Sequence, residues 1–109
     1  MKQRLAAYTA VLNRYDLDAV GDMFAENVVY VSLGLNDEIK GRAAIMEVFR
    51  SYFAQHTDQV NVDEDMRVLD ANRLQARWRL KSSKSKRSGT QIISFDVQGK
   101  IIRIEVRDD

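Results

Sequence analysis

Apolar residues recur at three- and four-residue steps from the start of the chain: Leu5, Tyr8, Leu12 and Tyr15, with Lys2, Arg4 and Asn13 elsewhere on the wheel. That spacing predicts an amphipathic helix. Asp16 is placed to cap a second short helix, whose stripe is Leu17, Val20 and Phe24. A β-rich run, Asn27 to Leu33, follows and is punctuated by Gly34 and the Asn36-Asp37 pair. From Arg42 to about Gln55 the helical period returns, with Ile45, Val48, Phe49, Tyr52 and Phe53 on one side.

The period then switches to two. Val60, Val62, Met66 and Val68 share one parity, while Asn61, Asp63, Asp65 and Arg67 take the other. After a turn at Asp70-Ala71-Asn72, Leu74, Ala76, Trp78 and Leu80 alternate with Gln75, Arg77, Arg79 and Lys81. Ser82 to Gly89 reads as a polar loop, Gln91 to Val97 as a strand, Gln98-Gly99 as a hairpin turn and Ile101 to Arg107 as the last strand. The order is helix, helix, strand, helix and four strands. Strands joined by tight turns pair antiparallel, and helices with one apolar face each must cover one face of the sheet. The expected fold class is α+β, with three helices packed on a curved, mostly antiparallel sheet. No repeat or linker interrupts residues 1–109, which read as a single domain.

Composition narrows the function classes. Lys and Arg number 17 against 16 for Asp and Glu, a net charge of +1 that offers no general attraction to nucleic acid or anionic membranes. The chain has no cysteine, hence no disulfide, thiolate nucleophile or cysteine-ligated zinc. The N-terminal stretch lacks a continuous apolar core of the signal-peptide kind, and no apolar run reaches the roughly 18 residues of a membrane span. The expectation is a cytoplasmic protein with no membrane partner and no cofactor. The basic cluster Lys81, Lys84, Lys86 and Arg87 lacks interleaved aromatics and reads as a solvated loop.

The stretch from Tyr8 through Asn13-Arg14-Tyr15-Asp16 to Met23-Phe24-Ala25-Glu26-Asn27-Val28-Val29-Tyr30 resembles the opening of the nuclear-transport-factor-2-like superfamily, in its SnoaL-like and ketosteroid-isomerase-like branch. Ile39-Lys40-Gly41-Arg42-Ala43-Ala44-Ile45 is similar to that branch's third-helix start, and Phe95 to Ile101 to its last hairpin. The resemblance implies a cone: a bent sheet wrapping helices around an apolar pocket. It also implies a homodimer through the outer sheet face, where Gln75, Arg77 and Arg79 would lie. The scaffold hosts isomerases, cyclases, dehydratases, epoxide hydrolases and silent modules, so fold alone does not license an activity.

Ketosteroid-type isomerisation needs a carboxylate base on the first strand and an oxyanion hole of a tyrosine and a protonated acid. The resemblance places the tyrosine at Tyr8, but the base position falls on Ser32 and the oxyanion acid on Gln91. The supporting tyrosines fall on Phe24 and Phe49. Serine has no useful basicity near neutral pH, whereas Gln91 can still donate a hydrogen bond. Dehydration by paired histidines is excluded because His56 is the single histidine, read as exposed, and alone it builds no metal site.

Among acids, Glu64 shares parity with Val60, Val62 and Met66 and points toward the helices in a regular strand. Burial would raise its pKa, as acid–base work requires, but a bulge in Asp63-Glu64-Asp65 would return it to solvent. Asp108 continues the parity of Ile104 and Val106 at a chain end that frays. In a regular strand Tyr30 and Ser32 face inward with Val28, and Trp78 on the apolar side of its strand serves either as plain core or as a pocket wall or floor. The expected pocket is therefore Tyr8, Tyr30, Ser32, Glu64, Trp78 and Gln91, holding a small hydrophobic molecule. A lyase or isomerase reaction is the chemistry such a pocket would host; the alternative is a non-catalytic dimerisation module.

Overall fold

A computed structural model describes residues 1–34 and 37–109. Helices α1 (Lys2–Asn13), α2 (Leu17–Met23) and α3 (Arg42–Gln55) pack on a six-stranded sheet of β1 (Phe24–Ser32), β2 (Asp37–Lys40), β3 (Val60–Val68), β4 (Arg73–Lys81), β5 (Lys86–Phe95) and β6 (Ile101–Asp108). The strand order is β2-β1-β6-β5-β4-β3. The first and last long strands, β1 and β6, lie parallel, and every other neighbouring pair is antiparallel. The architecture is the expected α+β arrangement of helices over a mostly antiparallel sheet.

Helix α1 buries Leu5, Tyr8 and Val11. The Asp16 carboxylate accepts a hydrogen bond from the Ala19 amide at 3.2 Å and so starts α2 as a side-chain cap. Helix α2 runs straight into β1, which puts Phe24 on the strand rather than on the helical stripe. The core joins Leu5, Val20, Phe24, Val28, Ile45, Leu74, Ile93, Ile101 and Ile104, each less than 2% exposed. Burying one such side chain stabilises the fold by roughly 1.5–3 kcal/mol.

Three local differences from the sequence expectation bear on the site. Strand β2 was not foreseen, because Ile39 is its single apolar residue; the turn expected at Asn36 lies outside the described residues. Strand β5 begins at Lys86, so the loop before it is Ser82 to Ser85 and Arg87 is a strand residue. The third difference reverses β3. Val60 and Val62 face outward, 51% and 48% exposed, while Asn61 and Asp63 face the helices. The Asn13 side chain accepts from the Asn61 amide at 2.8 Å and donates to the Asn61 carbonyl at 2.9 Å, pinning β3 to α1 in this parity. A bulge between Glu64 and Arg67, with Asp65 at φ 53°, then turns Met66 back onto the core. Glu64 therefore lies on the outer face, ion-paired with Arg79, and not toward the helices as a regular strand of the expected parity would place it.

Candidate functional site

Between α1, α3 and the inner face of the sheet lies a cavity of about 210 Å³. Its depth is set by buried Tyr8, Ile45 and Ile104. Of its lining residues only Val48 on α3 and Arg87 on β5 are exposed, and they mark the opening. The α3 side carries aromatic rings edge to face: Phe49 meets Phe24 at 5.8 Å and Tyr30 at 6.2 Å between centroids. Such contacts fix ring positions as well as burying area.

Register explains which sheet residues meet in the cavity. Asp63 sits opposite Trp78, Trp78 opposite Gly89, and Ala76 opposite Gln91, so Asp63, Trp78, Ala76 and Gln91 present side chains to the face on which Gly89 leaves a gap. Gly89 is required there: a Cβ would fall 2.0 Å from the Arg107 carbonyl oxygen and 2.6 Å from Trp78 Cζ2. The missing side chain lets the indole lie against β5. The Trp78 Nε1–H is buried and has no acceptor among the described residues, an arrangement native interiors rarely tolerate without a ligand or water.

Among the described residues the cavity lining holds one carboxylate, Asp63. The Gln91 Nε2 donates to Asp63 Oδ1 at 2.7 Å and the Thr9 hydroxyl donates to Oδ2. Both oxygens thus accept, as an ionised carboxylate does. Burial nevertheless raises the Asp63 pKa, against the lowering effect of the two donated bonds. Burial also holds the Tyr8 hydroxyl well above the ordinary tyrosine range, and pushes Tyr30 up to about 12. Both phenols are protonated donors at neutral pH. Just before β3, the Tyr52 hydroxyl donates to Gln59 Oε1, and the Tyr15 hydroxyl donates to the Gln59 carbonyl at 2.7 Å.

Of the residues expected from sequence, Tyr8, Tyr30, Trp78 and Gln91 are brought together around the cavity. Ser32 is on the inner side but beyond it, opposite Asp37 and Val106 at the end of β1. Glu64 is on the other face of the sheet. Gln91 donates its side-chain hydrogen bond to Asp63. His56 is half-buried rather than exposed, stacked on Tyr52 at 4.3 Å. Asp108 pairs with Arg87 through Nε at 3.0 Å and through Nη2. Sequence reading missed Asp63, Thr9 and Arg87; the polar pair Asn13 and Asn61 was the available signal that β3 turns its polar parity inward. Among the described residues no three His, Cys, Asp or Glu side chains converge as metal ligands.

Helices over a mixed sheet, closed around an apolar cavity with a few convergent polar groups, define the nuclear-transport-factor-2-like class of α+β proteins. The chain belongs to the SnoaL-like domain family, whose model matches residues 5–104. No curated protein matches it. Among solved structures it is similar to SalBIII, an epoxide hydrolase/cyclase-like enzyme of pyran ring formation in the polyether salinomycin. That match has 22% identity and a TM-score of 0.87, covering 99% of this chain and 89% of that one. It is similar too to a candidate isomerase of the SnoaL-like family from Agrobacterium tumefaciens, at 23% identity and TM-score 0.78, covering 100% and 99% of the two chains. An NTF2-like protein of unknown function from Exiguobacterium sp. 255-15 shares 20% identity at TM-score 0.82, covering 97% and 98%. At these identities the likeness shows the fold alone.

Proposed function

We propose that the cavity binds a small, largely apolar molecule carrying an acceptor oxygen, and that Asp63 moves a proton on it. The reaction class is that of an isomerase or lyase. The observation that carries this reading is the Asp63 carboxylate, held between Thr9 and Gln91 in an apolar cavity that also contains the unpartnered Trp78 N–H and two protonated tyrosines. Asp63 takes a proton from the carbon beside a carbonyl, the electron pair moves onto the oxygen, and a donor N–H or O–H stabilises the oxyanion. Returning the proton at the same or another carbon completes the step. Similarity to SalBIII, described with ring formation, is consistent with acid–base work in this fold.

The test is α-proton exchange of cyclohexanone and cyclohexenone in deuterated buffer, followed by NMR, with Trp78 emission reporting occupancy. Wild type should accelerate exchange over buffer and Asp63→Asn should lose the acceleration while still shifting Trp78 emission. Exchange unchanged by Asp63→Asn removes the proton-transfer role; no emission change with any ring compound removes the pocket reading.

The outer face supports a second, compatible reading, that two copies pair through it. Val60 and Val62 are half-exposed there, beside Arg79 and Glu64. Here the pocket and the dimer are separate surfaces of one sheet.

A further inference from the structure

The cavity's charges are arranged by depth. Among the described residues its lining holds a single carboxylate, Asp63, and a single cation, Arg87 at the opening. The Arg87 guanidinium carbon lies 5.8 Å from the centroid of the Trp78 ring, which is itself a cavity wall. Stacking on the indole holds the planar group against the opening. We propose that Arg87 is a specificity-determining residue, and that the ligand is a small amphipathic acid whose carboxylate Arg87 binds at the opening while its neutral end reaches Asp63. This rests on the pocket reading above and adds the ligand's class and direction.

Three features support it. First, the present partner of Arg87 is replaceable. Asp108 engages Nε and Nη2 through one oxygen, Oδ2, and the two side chains are 48% and 45% exposed. Ion pairs so open to water are screened and hold their partners weakly. A ligand carboxylate presenting both oxygens would meet the guanidinium fork with two parallel bonds. Second, the charge of Arg87 is felt inside: it pulls the Tyr30 hydroxyl downward against the larger upward effect of burial. Third, Asp63, half-buried in the cavity wall while Arg87 is exposed at the opening, repels a second carboxylate from its own end. An acid can therefore enter in one orientation only, neutral end first.

Matched pairs test this: cyclohexanecarboxylate against its carboxamide, and cyclohexylacetate against cyclohexylacetamide, titrated by the emission of the single tryptophan, Trp78. Wild type should bind each acid about tenfold more tightly than its amide. Arg87→Gln should bring the two within about twofold, and Arg87→Lys, which keeps the charge but not the fork, should fall between. Asp108→Asn, freeing Arg87, should tighten the acid about threefold and leave the amide unchanged. Salt should weaken the acid alone. Equal binding of acid and amide by the wild type, or equal losses for both in Arg87→Gln, overturns the proposal while leaving the pocket reading standing. Binding of neither by folded protein overturns both.

Discussion

Asp63 accepts hydrogen bonds from two uncharged donors, and among the described residues no salt bridge offsets its lost water; burial therefore prevails and its pKa rises. The consequence for stability has a definite sign. Across the window from the ordinary aspartate range up to the raised value, the folded state holds the Asp63 proton more firmly than the unfolded state. Its contribution to stability falls as pH rises through that window and stays unfavourable at pH 7. Asp63→Asn removes the charge and keeps a side chain able to bond Thr9 and Gln91. We expect it to melt at pH 7 no lower than wild type, and about 2–5 °C higher by calorimetry, while proton exchange is lost. Glu64→Gln, one residue away on the opposite face, should change neither the exchange nor Trp78 emission. Residue types alone could not separate these two acids. Both sit in one Asp-Glu-Asp run, and which faces inward is decided by Asn13 grasping the backbone of Asn61, a contact between residues 48 apart.

Strands differ in how openly their sequences declare them. In β4, Leu74 and Ala76 are buried and Gln75 and Arg77 are turned away, so plain alternation gives the right face. In β3 the apolar valines are outside, and the bulge at Asp65 joins two segments of opposite parity; a period of two read across it fails. Strand β2 has too few apolar residues to show a period at all. Strand β5 conceals its beginning because Arg87 and Gly89 serve the cavity rather than a packed core. Gly89→Ala puts a methyl into the space of the Arg107 carbonyl and the Trp78 ring, and something must shift. We expect a loss of about 1–3 kcal/mol in urea unfolding, with Trp78 emission moving to longer wavelength as the indole is displaced toward water. The end of β6 is held in another way. Asp109 accepts from Arg77 Nη1 at 2.9 Å and Nη2 at 2.6 Å and from the Ser88 hydroxyl at 2.7 Å, which lowers its pKa to about 2. A depressed carboxylate stabilises the fold above its unfolded pKa and loses that effect as pH falls toward about 2. Asp109→Asn should flatten the acid limb of a melting-temperature profile between about pH 4 and 2 and leave the profile above pH 6 parallel to wild type.

At the scale of the molecule, the element order of helices and strands was sufficient for the fold, because three one-sided helices and a run of short-turned strands have few ways to bury their apolar faces. The parallel contact between β1 and β6 was not legible locally: it joins the chain's first long strand to its last, and no turn encodes it. The two faces of the sheet differ in character. The inner face carries the cavity, and the outer face carries Gln75, Arg77, Arg79, Glu64 and the exposed Val60 and Val62. If two copies pair there, a charge at Val62 must be desolvated on association without a partner placed for it. Val62→Lys should then sediment at the 12.5 kDa chain mass where wild type sediments at twice that mass. Ligand-induced Trp78 emission should be preserved, since the substitution lies across the sheet from the indole. Wild type at the chain mass under the same conditions would remove the dimer and leave the cavity untouched. Loss of the emission response in a folded Val62→Lys monomer would show instead that pairing holds β3 in the register that presents Asp63, making the two faces one device.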